Sequence, residues 1–157
     1  MEPANVAMKP LFTLRAELAP RLDAGPGPIG ARSYNAVVRG TFEGRRMRSE
    51  VLPGSADWML VRPDGTMLMD ARAVLRTDDG AVIHMTYGGR IVIATELMAR
   101  VRDPGERERI DRDSYYLRTV PTFETGSGAY AWLNNIVAVG KGFLLEGGVG
   151  YDVFEVL

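Results

Sequence analysis

Residues 67–89, MLMDARAVLRTDDGAVIHMTYGG, consist of two runs of alternating side chains on either side of a turn signal. The Asp78–Gly80 segment has the residue types that adopt the positive φ angles of a tight hairpin turn. Because successive side chains of a strand point to opposite faces, each run divides into two sets. In the first run, one face carries Met67, Met69, Ala71, Ala73 and Leu75, and the other carries Leu68, Asp70, Arg72, Val74 and Arg76. In the second run, one face carries Ile83, Met85 and Tyr87, and the other carries Val82, His84 and Thr86. The stretch predicts an antiparallel β-hairpin.

The same alternation recurs through most of the chain. In residues 9–18, KPLFTLRAEL, apolar and polar side chains follow each other with period two. Breaks such as Pro53–Gly54 and Pro63–Thr66 separate such runs, with turn signals roughly every eight to twelve residues. No strand–helix–strand alternation is present. The sequence therefore predicts an all-β fold of about eight to ten strands, either an antiparallel sandwich or an antiparallel barrel.

One interval departs from this pattern. Residues 95–113, TELMARVRDPGERERIDRD, lack strand alternation and contain a Pro–Gly break. They predict one short helix near residues 96–102 and a second near 106–112. The charges of residues 106–113 alternate in sign, which is typical of a solvent-exposed helix face.

Length and composition place further bounds on the molecule. The chain has 157 residues, a net charge of −1 and no cysteine. These values predict one domain at residues 8–157 behind a flexible tail at 1–7, and they favour neither nucleic acid nor a membrane surface as a partner. No apolar run is long enough to span a bilayer and no signal pattern begins the chain. We expect a cytoplasmic protein.

Two motifs are rejected as cofactor or metal sites. Residues 25–30, GPGPIG, match a dinucleotide-binding pattern in letters only, because two prolines lack the amide hydrogen that binds phosphate and no helix follows. His84 is the only histidine, so it cannot belong to a set of histidine and cysteine metal ligands. We expect no cofactor and no metal.

Two places combine charge with aromatic bulk. Asp57 adjoins Trp58 after a Pro–Gly break, and the carboxylate either holds a polar ligand while the indole stacks on it or accepts hydrogen bonds in a turn. Arg118 and Glu124 lie among aromatic residues in 115–132. A buried guanidinium needs an anion, and a carboxylate packed against Phe123 has a raised pKa that suits proton transfer. The alternative is a structural Arg–Glu pair.

The chain also resembles a known family. The segments PGSADW (53–58), LMDARAVLRTDDGAVIHMTYGG (68–89), YYLRTVPTFETG (115–126) and YAWLNNIVAVGKG (130–142) are similar to the bacterial and fungal domain-of-unknown-function family 3237. The resemblance runs from about Met8 to Leu157 and implies a small calycin-like or lipocalin-like barrel with a central cavity. The family pattern falls on Asp57, Trp58, Asp70, Arg72, Arg118, Phe123, Glu124, Tyr130, Trp132 and Asn134, among others.

Three functions stay open at this point. The first is a cofactor-independent enzyme for isomerisation, cyclisation, elimination or hydration of a small, partly apolar, oxygenated or aromatic metabolite. In it Glu124 moves a proton, while Arg118 or Arg72 stabilises an oxyanion. The expected ligand-binding residues are Asp57, Trp58, Asp70, Tyr87, Phe123, Tyr130, Trp132 and Asn134. The second is a binding protein without turnover, and the third a filled barrel serving as a homodimer or higher homo-oligomer.

Overall fold

A computed structural model describes residues 4–157 of the chain. Ten strands form one antiparallel sheet. The strands are β1 (Met8–Leu18), β2 (Leu22–Gly27), β3 (Gly30–Glu43), β4 (Arg48–Val51), β5 (Ala56–Val61), β6 (Met67–Thr77), β7 (Val82–Val92), β8 (Tyr116–Glu124), β9 (Ala138–Leu145) and β10 (Gly148–Val156). The helical segments are a 3₁₀ turn (Thr95–Leu97), α1 (Met98–Arg102), α2 (Pro104–Arg107) and a 3₁₀ segment (Gly128–Asn135).

The sheet closes into a barrel because β1 pairs with β10 along one edge and with β3 along the other. The long strand β3 pairs with both β4 and β5, and β6 does the same from the opposite side. These two short strands therefore share one position in the wall, interrupted at Pro53–Gly54, where Gly54 has a φ of 92°. Strand β2 is an added hairpin partner of β3. The predicted all-β barrel is confirmed.

The hairpin expected from residues 67–89 forms as β6 and β7, with Met67 opposite Ile91 and Arg76 opposite Val82. Its turn needs Gly80, whose φ is 87°, a region that favours glycine. Along both strands the alternating inward side chains are mostly buried, including Leu75, Ile83 and Met85. Burial of this apolar face stabilises the fold and fixes the register of β6 against β7, because a shift by one residue would turn these side chains outward.

The helical segments differ in part from the prediction. The helix expected near 96–102 forms as the 3₁₀ turn and α1. The second, expected near 106–112, instead spans only Pro104–Arg107. It begins at Pro104 because the Asp103 carboxylate accepts a hydrogen bond from the Gly105 amide (2.9 Å) and proline is tolerated in the first turn. The 3₁₀ segment at Gly128–Asn135 was not predicted.

Strand β1 begins at Met8, and the division into a tail at 1–7 and a domain at 8–157 stays a prediction. Residues 4–7 are exposed and outside any strand, although the Ala7 carbonyl accepts a hydrogen bond from the Leu157 amide (2.9 Å). The first three residues of the predicted tail lie outside the described residues, and the flexibility of this tail stays a prediction.

Candidate functional site

The two ends of the barrel are built differently. One end, at the β6–β7 turn, is filled by aromatic and aliphatic side chains: the Phe12 ring contacts Phe42 and Phe123 edge-on, at centroid distances of 5.7 and 5.9 Å. The other end is surrounded by the β1–β2 connection, the β5–β6 turn, the helices between β7 and β8, and the β9–β10 turn. There the interior opens into a cavity of about 950 Å³.

Most of the cavity wall is apolar. Four of the eight methionines of the chain border it, together with alanine, valine, leucine and isoleucine side chains. Methionine is unbranched and polarisable, so such a wall adapts to ligands of irregular shape. The methionines are Met59, Met67, Met69 and Met98.

A small set of polar side chains interrupts this wall. Asp57 on β5 lies opposite Ala71 on β6, and Ala71 lies opposite Tyr87 on β7, so the three residues form one row across three strands. Between the acid and the phenol, this row contains only the small side chain of Ala71. From β10, Tyr151 contacts Tyr87 edge-on, with ring centroids 5.4 Å apart. All three polar groups border the cavity.

Burial changes the titration of these groups. Desolvation raises the pKa of Asp57 to about 6; a hydrogen bond from the Asp70 amide (2.9 Å) opposes this shift, and the Asp70 charge adds to it. Burial also raises the pKa of Tyr87 and of Tyr151, and the negative charge of Asp57 raises both further. At neutral pH the site therefore holds a carboxylate that accepts a proton readily beside two protonated phenols.

An amide extends the same row. Asn35 on β3 lies opposite Asp57. Its Nδ2 is buried and has no hydrogen-bond partner among residues 4–157. Since an unpaired buried donor is costly, this amide is available to an acceptor in the cavity.

Four arginines border the cavity, and two of them are paired with carboxylates. Arg21 contacts Asp23 (2.6 Å) and Arg72 contacts Asp70 (3.8 Å). Arg102 is exposed, whereas Arg107 is half-buried. Burial lowers the pKa of the Arg107 guanidinium, with an opposing contribution from Tyr115.

The interior placement on which the predicted roles of Arg118 and Glu124 depend is wrong. Leu117, Thr119 and Phe123 of β8 point inward, so the alternation of the strand turns Arg118 and Glu124 outward. Glu124 is exposed, and the Arg118 guanidinium lies over the exposed Tyr116 ring (5.0 Å) and donates to the Leu117 carbonyl (3.0 Å). No ion pair joins Arg118 to Glu124 in the described part of the chain, so the structural-pair alternative is also wrong.

A second group of predicted residues lies on the outer wall. Trp58 follows the inward-facing Asp57, so its ring points outward, where it contacts Tyr34 (5.3 Å) and the Arg72 guanidinium (5.9 Å). With Asp70 these residues line a shallow groove on the outer wall, and Arg72 borders the cavity as well. The Asp57–Trp58 pair therefore does not act as one unit on a single ligand.

The remaining predicted residues belong to the filled end. Phe123 packs in the core, and the Tyr130 hydroxyl donates to the Asp79 carboxylate (3.1 Å) at the β6–β7 turn. Trp132 stacks with Arg46 (3.4 Å), and the Asn134 side chain bonds both the Thr125 amide (2.8 Å) and the Thr125 carbonyl (3.0 Å). None of these four borders the cavity, whereas the predicted residues Asp57, Arg72 and Tyr87 do.

Sequence reasoning missed Asn35, Tyr151 and Arg107. Tyr151 occupies the apolar face of a period-two strand between Val149 and Val153, a pattern that could have marked it. Arg107 was assigned to a solvent-exposed helix face, but α2 ends there and turns it towards the interior. No sequence signal distinguishes it from neighbouring arginines.

Residues 4–157 contain no cluster of three or more histidine, cysteine or carboxylate side chains with metal-binding geometry, and we assign no metal ligands. Within the same residues, the helices are all too short to cross a membrane.

Fold and cavity together define a closed antiparallel β-barrel with one deep, mostly apolar pocket. The chain belongs to the family described as "Protein of unknown function (DUF3237)", whose model matches residues 6–156. A UPF0311 protein of Clostridium acetobutylicum is 37% identical over 111 residues, which are 71% of this chain and 68% of that protein. A UPF0311 protein of Rhodopseudomonas palustris strain CGA009 is 32% identical over 95% of both chains.

Solved structures share the architecture. A conserved protein of unknown function from Rhodopseudomonas palustris superposes with a TM-score of 0.90 at 30% identity, covering 99% of this chain and 100% of the other. A protein from Acinetobacter baumannii described as β-barrel-like gives 0.84 at 32% identity over 99% of both chains. A protein described as an enzyme from Penicillium herquei gives 0.74 at 20% identity, covering 100% and 98%, and this last likeness concerns the fold alone.

Proposed function

We propose that the chain is a cofactor-independent enzyme that uses acid–base chemistry on a small, partly apolar, oxygenated or aromatic metabolite held in the cavity. The observation that carries the proposal is Asp57, a buried carboxyl group with a pKa of about 6 on the wall of a cavity of about 950 Å³. A general base is most effective when its pKa lies near the working pH. The barrel of a distant fold relative described as an enzyme is compatible with catalysis.

The three polar groups divide the work. The Asp57 carboxylate removes a proton from a carbon next to a carbonyl group, and the electron pair of the broken C–H bond moves onto the carbonyl oxygen. Tyr87 and Tyr151, whose raised pKa values keep them protonated, donate hydrogen bonds to that oxygen as its negative charge develops. The electron pair then returns from the oxygen, and protonated Asp57 gives its proton to another carbon, which completes an isomerisation, or to a leaving group as its bond to carbon breaks, which completes an elimination. In a cyclisation the returning electron pair forms a bond from the deprotonated carbon to a second carbonyl carbon of the same molecule, and Asp57 protonates the oxygen of that second carbonyl group.

The proposal moves the proton-transfer role from Glu124 to Asp57. An exposed carboxylate keeps its hydration and lacks the desolvation that tunes a base. Glu124 is exposed on the outer face of β8, whereas Asp57 is only 9% exposed. We therefore assign no catalytic role to Glu124 or Arg118.

Hydrogen–deuterium exchange tests the proposal directly. A panel of ketones, β-dicarbonyl compounds, lactones and phenols is screened for compounds that raise the melting temperature, and those are incubated with the protein in D₂O. Deuterium entering the carbon next to the carbonyl group is followed by NMR. We expect exchange above the buffer rate, reduced by roughly 10²-fold or more in Asp57→Asn, as for loss of a general base.

Glu124→Gln is the matched control, because it makes the same chemical change on the outer face. It should exchange at the wild-type rate. Equal exchange by Asp57→Asn and wild type would contradict the proposal.

A non-catalytic binding protein is the second function, favoured by the four methionines of the wall, which suit a range of ligands. Compounds that stabilise the protein without any exchange would support it.

A further inference from the structure

Arg107 has an unusual environment for a cation at the rim of a cavity. It is the last residue of α2, in the connection between β7 and β8 at the open end of the barrel. The Arg107 Nη2 atom donates a long hydrogen bond to the Gly148 carbonyl (3.3 Å). Its Nε is buried and has no acceptor among residues 4–157. The guanidinium of this cavity-lining residue thus keeps an unpaired donor.

Carboxylates near the opening do not neutralise Arg107. Asp64 also borders the cavity but is paired with Arg62, and Asp23 is paired with Arg21. Within residues 4–157, no carboxylate lies within ion-pair distance of Arg107. Since an arginine keeps its proton under any ordinary condition, the positive charge stays uncompensated by the protein.

A partly buried guanidinium without a counter-charge destabilises the protein, and binding of an anion beside it removes that cost. Arginine presents donors in a planar fork that matches a carboxylate, and such charge-assisted hydrogen bonds are stronger than neutral ones. The rest of the wall, with its methionines, suits an apolar body. Arg107 lies on the helical connection at the open end, and Asp57 lies on the β5–β6–β7 wall.

We infer that the substrate is an organic acid with an apolar body, and that Arg107 binds its carboxylate at the opening while the body lies against the methionine wall. This inference rests on the proposed function and adds its substrate class. The acid group then fixes the depth at which the reacting carbon meets Asp57, and Arg107 is a specificity-determining residue rather than a catalytic one.

A matched pair of dyes tests the inference without knowledge of the substrate. 1-Anilinonaphthalene-8-sulfonate and N-phenyl-1-naphthylamine share one apolar skeleton and differ in the anionic sulfonate; both fluoresce in apolar surroundings. The wild type should bind the anionic dye more tightly. Arg107→Gln should lower the affinity for the anionic dye by about tenfold or more, which is the loss expected for one charged hydrogen-bonded pair. The affinity for the neutral dye should stay unchanged.

Two control variants separate charge from packing. Arg109→Gln removes an exposed arginine that contacts Glu106 (3.4 Å), and it should change neither dye. Arg107→Lys retains the charge without the fork and should recover part of the anionic affinity. An equal loss of both dyes in Arg107→Gln would show a packing effect and overturn the inference.

Competition in the wild type avoids any folding defect of a variant. Decanoate should displace the neutral dye at a lower concentration than decanol does. Equal potency of acid and alcohol would overturn the inference and leave Asp57-dependent exchange untouched. If neither dye binds, both the inference and the cavity binding on which it depends are overturned. If the protein selects acids as expected but catalyses no exchange, only the proposed catalysis is overturned.

Discussion

Burial of the Asp57 side chain disfavours its charged form and therefore destabilises the folded protein. Its carboxylate has one hydrogen bond, from the Asp70 amide, and faces a mostly apolar cavity. A charge held this way opposes folding unless it serves another purpose, which is a common property of active-site groups. We interpret the raised pKa as the stability cost of a poised base.

That cost predicts a pH-dependent effect of Asp57→Asn. The folded pKa of about 6 exceeds the ordinary value of 3.8, so the unfolded chain releases the proton first, and stability falls between pH 3.8 and 6 and stays low above. Asn keeps an acceptor for the Asp70 amide but carries no charge. The variant should gain up to about 3 kcal/mol in free energy of unfolding at pH 8 and little at pH 4.

Urea unfolding at the two pH values measures this gain. A variant that is less stable than the wild type at pH 8, or equally changed at both pH values, would contradict the interpretation.

Asp57 and Trp58 also show what single residues in the sequence reveal. Their adjacency was visible, and period two requires that they point to opposite faces. Which of the two faces the interior depends on the pairing of β5 with β3 and β6, a long-range property. The same ambiguity misplaced Glu124 and Arg118.

At the scale of elements, strands β8, β9 and β10 approach closely where glycine replaces a side chain. A Cβ at Gly142 of β9 would lie 1.9 Å from Leu117 Cδ2 and 2.7 Å from its Cγ. Leu117 is fully buried on β8, so it has little room to move aside. The glycine therefore permits the packing of Leu117 against the wall that carries Tyr151.

Gly142→Ala should destabilise the protein by about 1 to 3 kcal/mol, the usual range for overpacking a core. Gly126→Ala is the matched control, since a Cβ there meets nothing within 4 Å. Chemical denaturation compares the two. Equal stability of both variants would show that the β8–β9 contact relaxes freely.

The 3₁₀ segment at Gly128–Asn135 is the element that sequence reasoning assigned to ligand binding. Its Tyr130 and Asn134 side chains instead bond Asp79 and Thr125, which attaches the segment to the β6–β7 turn and to the end of β8. Such short connections lack the periodicity that a longer helix would show, so the sequence did not predict the element.

Asn134→Ala removes two hydrogen bonds and should lower the free energy of unfolding by about 1 to 2 kcal/mol. Asn135→Ala, at the neighbouring exposed position, should change it by less than about 0.5 kcal/mol. Thermal or urea unfolding supplies the values, with binding of the neutral dye as a second readout. A loss of dye affinity in Asn134→Ala at unchanged stability would return Asn134 to the ligand site.

For the whole molecule, turn residues and period two predicted an antiparallel β fold and its approximate strand number, because both are local signals. The family resemblance, rather than these signals, selected the barrel over the sandwich. The β6–β7 hairpin is the clearest case, with Gly80 in the conformation that its turn requires. The difference between the filled end and the open end of the barrel arises only when the sheet closes on itself. It depends on Phe12, Phe42 and Phe123 meeting from three different strands, which no local pattern encodes.

The account's central claim is that a single buried carboxyl group, Asp57, is poised for proton transfer inside the open end. Carbon-13 NMR of the aspartate carboxyl groups across pH measures its pKa directly, and Asp57→Asn assigns the signal. We predict one aspartate with a midpoint near 6 that is absent from the variant. If the signal that disappears in Asp57→Asn instead has a midpoint near the ordinary pKa of 3.8, the claim is contradicted.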